Sequence, residues 1–349
     1  MRTPASPAVL ETTRIVLPGL VPATGLQVTT VPIPTPGTGQ LLVQVEATGI
    51  SYAEQAMRRG RYPGQPAFPF TPGYDLVGRV LAAGDRSDSH LVGRRVATMT
   101  KTGAWTGHAV VNARDSILVP DGISPEDAET VVVNGVTAWQ MLHRSARVQP
   151  GQTILLFGAN GGVGGILIQL AQHHGVRVIG AASPRHHDAL RAAGVIPVDY
   201  ADPDLAAEVR RIAPGGVNAV FDNIGGDITR TAFGLLAKGG TIVTYAIIRA
   251  ASGTGPLMIP FLKTLGQSLI WSALPNGKRA MFYDLWAGHR LRPGRFRRHL
   301  EHDLTEVLTL LKSGTITANI AARFPLTEVV AALQLAESRT LNGKVILLP

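Results

Sequence analysis

The sequence predicts an α/β protein, a doubly wound parallel sheet preceded by a β-rich segment and followed by a closing part of different character. Three observations carry this. Between Thr153 and Ala246, apolar strand-like runs alternate with helical patterns at the pitch of strand, crossover helix, strand. A glycine-rich turn, Gly158–Gly165, joins the first of these runs to an apolar helix. Before about residue 130, by contrast, the apolar segments are short and bounded by Gly and Pro, without helical period.

In chain order, Leu41–Val45, Leu76–Leu81, Arg95–Thr98 and Ala109–Val111 read as strands of a small barrel or sandwich. The character changes after residues 121–136. There follow a strand over 153–157, a helix from Gly162 to His174, a strand over 176–181, a helix over 185–193, a strand over 195–199 and a helix over 203–213. A strand over 217–222, a helix over 226–236 and a strand over 241–246 complete the alternation. The last part reads as a helix over about 300–312, a strand near Ala318–Phe324, a helix over 327–337 and a final strand at Lys344–Leu348.

A chain of 349 residues with 45% hydrophobic content is long enough for two domains, each with its own core. Charged residues are 16%, and 39 Gly and 24 Pro are spread along the chain without period, which excludes disorder and collagen-like repeats. The formal charge of +9 is compatible with a polyanionic partner. The excess is mostly Arg, within an Arg, Ala, Gly and Pro bias along the whole chain, so no nucleic-acid partner is expected. There is no cysteine, which excludes disulfides, thiolate nucleophiles, Fe–S clusters and Cys-ligated zinc. The N-terminus lacks the apolar core of a signal peptide, and no stretch approaches about 18 apolar residues. The expectation is a cytoplasmic protein with no membrane partner.

At the turn, glycines permit positive φ and let backbone approach a pyrophosphate seated on a helix N-terminus. Gly158, Asn160, Gly161, Gly162 and Val163 are therefore candidate dinucleotide ligands, against the alternative of a tight turn that holds nothing. At the end of the second strand, where an NAD site carries Asp or Glu, the chain reads Gly180–Ala181–Ala182–Ser183–Pro184–Arg185. A hydroxyl and a guanidinium suit a 2′-phosphate, so NADPH is the expected cofactor, with Ser183 and Arg185 reading it. The other reading of this pair is a helix cap beside a solvent-facing Arg.

Taken in order, PGYDLVG (72–78), VTAWQML (136–142), GANGGVG (158–164), FDNIGGD (221–227), KGGTIVTYA (238–246) and LNGKVIL (341–347) resemble the medium-chain dehydrogenase/reductase superfamily, in its zinc-free quinone oxidoreductase and enoyl reductase branch. The resemblance implies a Rossmann domain inserted into a GroES-like catalytic domain built from both chain ends: 1–130 catalytic, 131–285 nucleotide-binding, 286–349 catalytic again. It adds Asn134, Thr137, Tyr200, Asn223, Tyr245, Asn342 and Lys344 to the cofactor residues. It also implies a homodimer, paired through a strand at Ser268–Ala273 on the edge of the nucleotide sheet. Zinc relatives hold their metal with Cys, His-Glu and Cys. Here Ser51, Tyr74–Asp75 and a non-cysteine near Asn134 stand at those positions, so no metal is expected. His299 and His302 have helical spacing in an Arg-rich stretch and read as a solvated face.

Without metal, the implied reaction is hydride transfer from NADPH to a quinone or to the β-carbon of an activated alkene, a small hydrophobic acceptor. Residues 49–62 line the cleft in the family, and Tyr52 or Tyr62 is the candidate donor to the acceptor oxygen; each is alternatively a packed tyrosine. Residues 247–289 concentrate aromatic side chains in an aromatic-poor chain, as a substrate lid, a subunit contact or ordinary core. The cluster Arg290–Arg298 reads as a solvated face or a dock for an acidic partner. A second function is a protein that keeps the fold for binding or sensing with little turnover.

Overall fold

The computed structural model describes residues 10–251, 253, 257–338 and 340–349. Residues up to Val133 together with Ile320–Pro349 form one compact unit, and Asn134–Asn319 the other. The return to the first unit thus comes at Ile320, later than the sequence boundary at 286.

The first unit begins with an antiparallel pair, β1 (Glu11–Val16) and β2 (Gln27–Pro32). Then come β3 (Gln40–Ile50), helix α1 (Tyr52–Arg58), β4 (Asp75–Ala83), β5 (Arg95–Met99), β6 (His108–Asn112) and β7 (Ser116–Leu118). Helix α2 (Pro125–Trp139) carries the chain across the boundary at 133. In β3, Leu41, Val43 and Val45 alternate inward and pack with Leu76, Val80, Val96 and Val111 from its neighbours, which is the period-two pattern of a sheet with one face in a core. Helix α1 starts where Ser51 and Glu54 form a reciprocal capping box that satisfies its first amides.

The second unit contains β8 (Thr153–Phe157), α3 (Gly162–His173), β9 (Arg177–Ala182), α4 (His187–Ala192), β10 (Ile196–Asp199), α5 (Leu205–Ile212), β11 (Val217–Asp222), α6 (Asp227–Gly234), β12 (Leu236–Thr244), α7 (Ile248–Ala251), α8 (Met258–Ala273), β13 (Arg279–Phe282) and α9 (Pro293–Lys312). All neighbouring strands are parallel, in the order β10-β9-β8-β11-β12-β13. The order reverses between β8 and β11, so the loops that leave these two strands diverge and open the crevice where such sheets bind ligands. Leu155, Phe157, Ile179, Val220 and Ile242 are fully buried, as near-continuous apolar strands in a doubly covered sheet must be. Among the described residues no helix is long and apolar enough to cross a membrane.

Two expectations need correction here. Ser268–Ala273 is not an edge strand; it is the C-terminal half of α8. A short apolar run fits either period, and the contact that decides is tertiary: Trp271 stacks on Phe233 at 4.3 Å and Ser272 bonds both the N–H and the C=O of Ala280. The edge strand on that side of the sheet is β13. The helix expected from 300 starts at Pro293, whose ring suits the first helical turn. The aromatics of 247–289 also find partners inside this unit, Phe261 on Phe282 and Trp286 on Phe296, so several of them serve as core.

The first unit closes with β14 (Ile320–Pro325), α10 (Val329–Glu337) and β15 (Lys344–Leu348), and its seven-stranded sheet carries β6 on β3 beside the path β14-β15-β3-β4-β5-β7.

Candidate functional site

In the second unit β8 ends at Phe157 and the chain turns through Gly158, whose φ is +68°. A Cβ on Gly158 would stand 2.3 Å from Asn223 Nδ2, one on Gly162 2.5 Å from Asn134 Nδ2, and one on Gly164 2.2 Å from the Gly158 carbonyl oxygen. Glycine is therefore required at Gly158, by its positive φ, and at Gly164, by the backbone it meets; at Gly162 the neighbour is the end of the Asn134 side chain, and at Gly165 nothing lies within 4 Å. Gly161 caps α3 without any side-chain hydrogen bond, and its own N–H goes to Gly158 at 2.9 Å. The amides of Gly162, Val163 and Gly164 precede the first intrahelical donor, the Gly165 N–H that bonds the Gly161 carbonyl at 2.8 Å, so they present donors at the positive end of the helix. Asn160 sits half-buried in the turn.

Across the switch point, Asn223 is held by its neighbour. Asp222 accepts the N–H groups of Ile224 and Gly225 at 2.8 and 3.2 Å and the Thr229 hydroxyl at 2.6 Å, and burial pushes its carboxyl pKa up. Asn223 Oδ1 is buried and has no hydrogen-bond partner among the described residues. An orphaned acceptor beside a turn kept clear of side chains fits a ligand with hydroxyl donors, such as a nucleotide ribose. Tyr245 hydrogen-bonds the Phe157 carbonyl at 3.3 Å, just before the turn, and burial raises its pKa. Asn134 and Thr137 are buried on α2, the first against Gly162 and the second hydrogen-bonded to Tyr283.

Beyond β9, Ser183 Oγ lies 3.5 Å from the Tyr200 hydroxyl at the end of β10. Arg185 Nε donates to His186 Nε2 at 3.1 Å. Ser183 and Tyr200 thus meet, Arg185 follows two residues after Ser183, and no carboxylate stands in the strand-end position that reads a free 2′-hydroxyl. His186 accepts in its neutral form, and burial, then the charges of Arg185 and His187, lower its pKa. Its protonation falls below the usual histidine range near pH 6.5.

The first unit holds the tyrosines. Tyr52 opens α1, half-buried. Tyr62 and Tyr74 meet hydroxyl to hydroxyl at 2.6 Å, rings edge-on at 6.0 Å. Glu54, buried, binds Ser51 through both its N–H and its hydroxyl and accepts the Tyr74 N–H at 2.7 Å; burial is the main cause of its raised pKa. Asn342 is exposed in the turn before β15. Lys344 is engaged within this unit: its buried Nζ binds Asp75 Oδ2 at 2.9 Å and Glu129 Oε1 at 2.7 Å. Burial opposes its charge, but the two carboxylates outweigh that and raise its pKa. Burial also holds Glu129 well above the ordinary carboxylate range, with Asp75 adding and Lys344 opposing. Lys344 is therefore tied by ion pairs to two carboxyl groups of its own unit.

Two family models match the chain, the alcohol dehydrogenase GroES-like domain over residues 37–126 and the zinc-binding dehydrogenase over residues 190–347. The human synaptic vesicle membrane protein VAT-1 homolog is 30% identical over 325 residues, 90% of this chain and 80% of that protein. The chain belongs to the medium-chain dehydrogenase/reductase superfamily, on its zinc-free branch. A mycobacterial protein of this superfamily solved in complex with NADPH is 28% identical, with a TM-score of 0.82 over 97% of this chain and 100% of its own. A mycobacterial quinone oxidoreductase superposes with a TM-score of 0.80 at 28% identity, over 97% of this chain and 100% of that one.

Against the metal-binding members of the superfamily, the ligand positions here are filled by a hydrogen-bonded network. Glu54 ties Ser51 to Tyr74, and Asp75 is engaged with Lys344 and the Val133 N–H at 3.1 Å. No group of three or more His, Cys, Asp or Glu side chains among the described residues is arranged to hold a metal ion. Sequence reasoning missed Glu54, Asp222, Glu129 and the pairing of Tyr74 with Tyr62. The Ser51-x-x-Glu54 capping box was a legible signal for the first; the others depend on contacts between distant segments.

Proposed function

We propose that this protein is an NADPH-dependent, zinc-independent reductase that passes a hydride to a quinone or to the activated double bond of an enone or enoyl substrate. The observation that carries the cofactor assignment is the strand-end group Ser183, Arg185 and Tyr200 without a carboxylate, beyond a glycine turn that side chains would block. Bound there, NADPH supplies the hydride. The amides of Gly162, Val163 and Gly164 would hold its pyrophosphate, Asn223 Oδ1 would accept from a ribose hydroxyl, and Arg185 with Ser183 would meet the 2′-phosphate. The chain's remaining task is to stabilise the negative charge that grows on the acceptor oxygen as hydride arrives, and Tyr62, with its hydroxyl already in a hydrogen-bonded pair, is the donor for it.

The test is NADPH oxidation with a panel of one quinone, one conjugated enone and one enoyl thioester. Turnover of at least one, unchanged by prolonged chelation, is expected. Turnover of none would leave a nucleotide-binding protein, and stoichiometric zinc in the purified protein whose removal abolishes activity would refute metal independence. The same reading includes a homodimer. On α8, Ile259, Leu262, Leu269 and Ile270 are 70, 57, 75 and 65% exposed, next in sequence to the open edge strand β13. Covering an apolar stripe and a sheet edge together favours association of two copies. Light scattering at micromolar concentration should give a dimer mass that Leu269→Glu reduces to a monomer; a monomeric wild type refutes it.

A further inference from the structure

The geometry points to Tyr74 and Lys101 as positioning residues that make Tyr62 a proton donor. This rests on the reductase reading above and deepens it by saying how the donor is held.

Tyr74 is 4% exposed and fixed at both ends of its peptide. Its N–H donates to buried Glu54 at 2.7 Å, and its carbonyl accepts the N–H groups of Thr100 and Lys101 at 2.9 and 3.1 Å. Its hydroxyl meets that of Tyr62 at 2.6 Å. A phenol has one proton, so in such a pair one hydroxyl donates to the other. The pair allows either direction; the one proposed has Tyr74 donating to the Tyr62 oxygen, so that the Tyr62 proton lies outside the bond between the two phenols and is the one passed to the acceptor oxygen.

Lys101 supplies the charge. Its φ is +66°, a region that residues with a side chain rarely occupy and that persists where surrounding structure enforces it, often at functional sites. The turn that imposes this φ is the one that clamps the Tyr74 carbonyl. It carries Lys101 Nζ to 5.9 Å from the centre of the Tyr62 ring and 3.8 Å from where a Cβ on Gly64 would stand, so the ammonium lies over the 62–64 loop. When hydride adds to the β-carbon of an enone, the electron pair of the double bond moves to the carbonyl oxygen. The Tyr62 O–H bond then breaks, its proton goes to that oxygen, and the phenolate left behind keeps the hydrogen bond from Tyr74 and faces the Lys101 ammonium until solvent returns a proton.

The experiment compares wild type with Tyr62→Phe, Tyr74→Phe, Lys101→Met and Lys101→Arg in steady-state kinetics with NADPH and 1,4-naphthoquinone or 4-phenyl-3-buten-2-one. It also measures, by titration calorimetry without turnover, the affinity of each variant for 2-hydroxy-1,4-naphthoquinone, an anion at neutral pH, against uncharged 1,4-naphthoquinone. Expected is a loss in kcat of about tenfold or more for Tyr74→Phe and for Lys101→Met, within the range for a positioned acid, with acceptor KM and NADPH Kd little changed. Lys101→Arg should restore most of the rate, and Lys101→Met should lower the preference for the anion. If Tyr62→Phe loses activity while Tyr74→Phe and Lys101→Met do not, the positioning claim is overturned and the reductase reading stands. If Tyr62→Phe keeps its kcat, Tyr62 is not the donor and both assignments fall. If the wild type reduces neither acceptor, the reductase reading fails, and an unchanged anion preference in Lys101→Met rejects the role of Lys101 as well.

Discussion

Replacing Arg185 by Ala should weaken NADPH binding and leave NADH almost untouched. The guanidinium lies exposed at the end of β9 with its Nε engaged on His186 Nε2 at 3.1 Å, so a 2′-phosphate would be met by the terminal amino groups. A charge-assisted hydrogen bond contributes about 1.5–3 kcal/mol, and exposure to solvent places this one toward the lower end. About 1.5 kcal/mol corresponds to roughly a tenfold loss in affinity. The loss should shrink as salt is added, because an exposed charge pair is screened over about 10 Å at 0.1 M. An unperturbed imidazole at this position would gain a proton below about pH 6.5 and sharpen the preference, but burial and the charges of Arg185 and His187 lower the pKa of His186. The lowered pKa keeps the ring neutral across the neutral range, so the NADPH preference should be flat there and change only at lower pH, where protonation ends the bond from Arg185. Fluorescence titration of both cofactors against wild type and Arg185→Ala, at two salt concentrations, measures all of this. Equal wild-type affinities for the two cofactors, or equal losses in the variant, would show that the 2′-phosphate is not read at this position.

Three further outcomes are expected. Gly164→Ala sets a Cβ 2.2 Å from a backbone oxygen and should abolish NADPH binding, whereas Gly165→Ala meets nothing within 4 Å and should bind normally, with thermal stability equal or raised by up to about 1 kcal/mol; equal effects in calorimetry and binding would reject the cradle geometry. Lys344→Met leaves Asp75 and Glu129 buried without their cation and should cost about 3–5 kcal/mol in denaturant unfolding while the folded protein keeps its NADPH Kd; a change in Kd at unchanged stability would restore Lys344 to the cofactor site. His143, lowered to about 4 mainly by burial and then by the charge of His174, stays neutral in the folded state while the unfolded chain takes up a proton near pH 6.5. The unfolded state therefore binds more protons between about pH 6.5 and 4, stability falls as pH falls through that window, and His143→Gln should flatten the fall in melting temperature.

The sequence by itself determined the alternating sheet, the glycine turn and the strand end without a carboxylate, because each is a local matter: hydrophobic period, positive φ, and the presence or absence of an acidic residue. It also determined what chemistry is closed to this chain, since a ligand type that is absent from the sequence cannot be supplied by folding. Tertiary structure decided the rest. Whether Ser268–Ala273 is strand or helix turned on Trp271 finding Phe233, since a short apolar run is compatible with both periods. Which groups hold the Lys344 ammonium turned on Asp75 and Glu129, which stand 269 and 215 residues away in the chain. The pairing of Tyr62 with Tyr74, the seat of Lys101 over their loop and the carboxylate of Glu54 beneath them likewise join segments with no shared motif. Such groups acquire their protonation and their partners only when folding removes water and brings opposite charges within a few ångströms, and no periodicity along the chain encodes that distance.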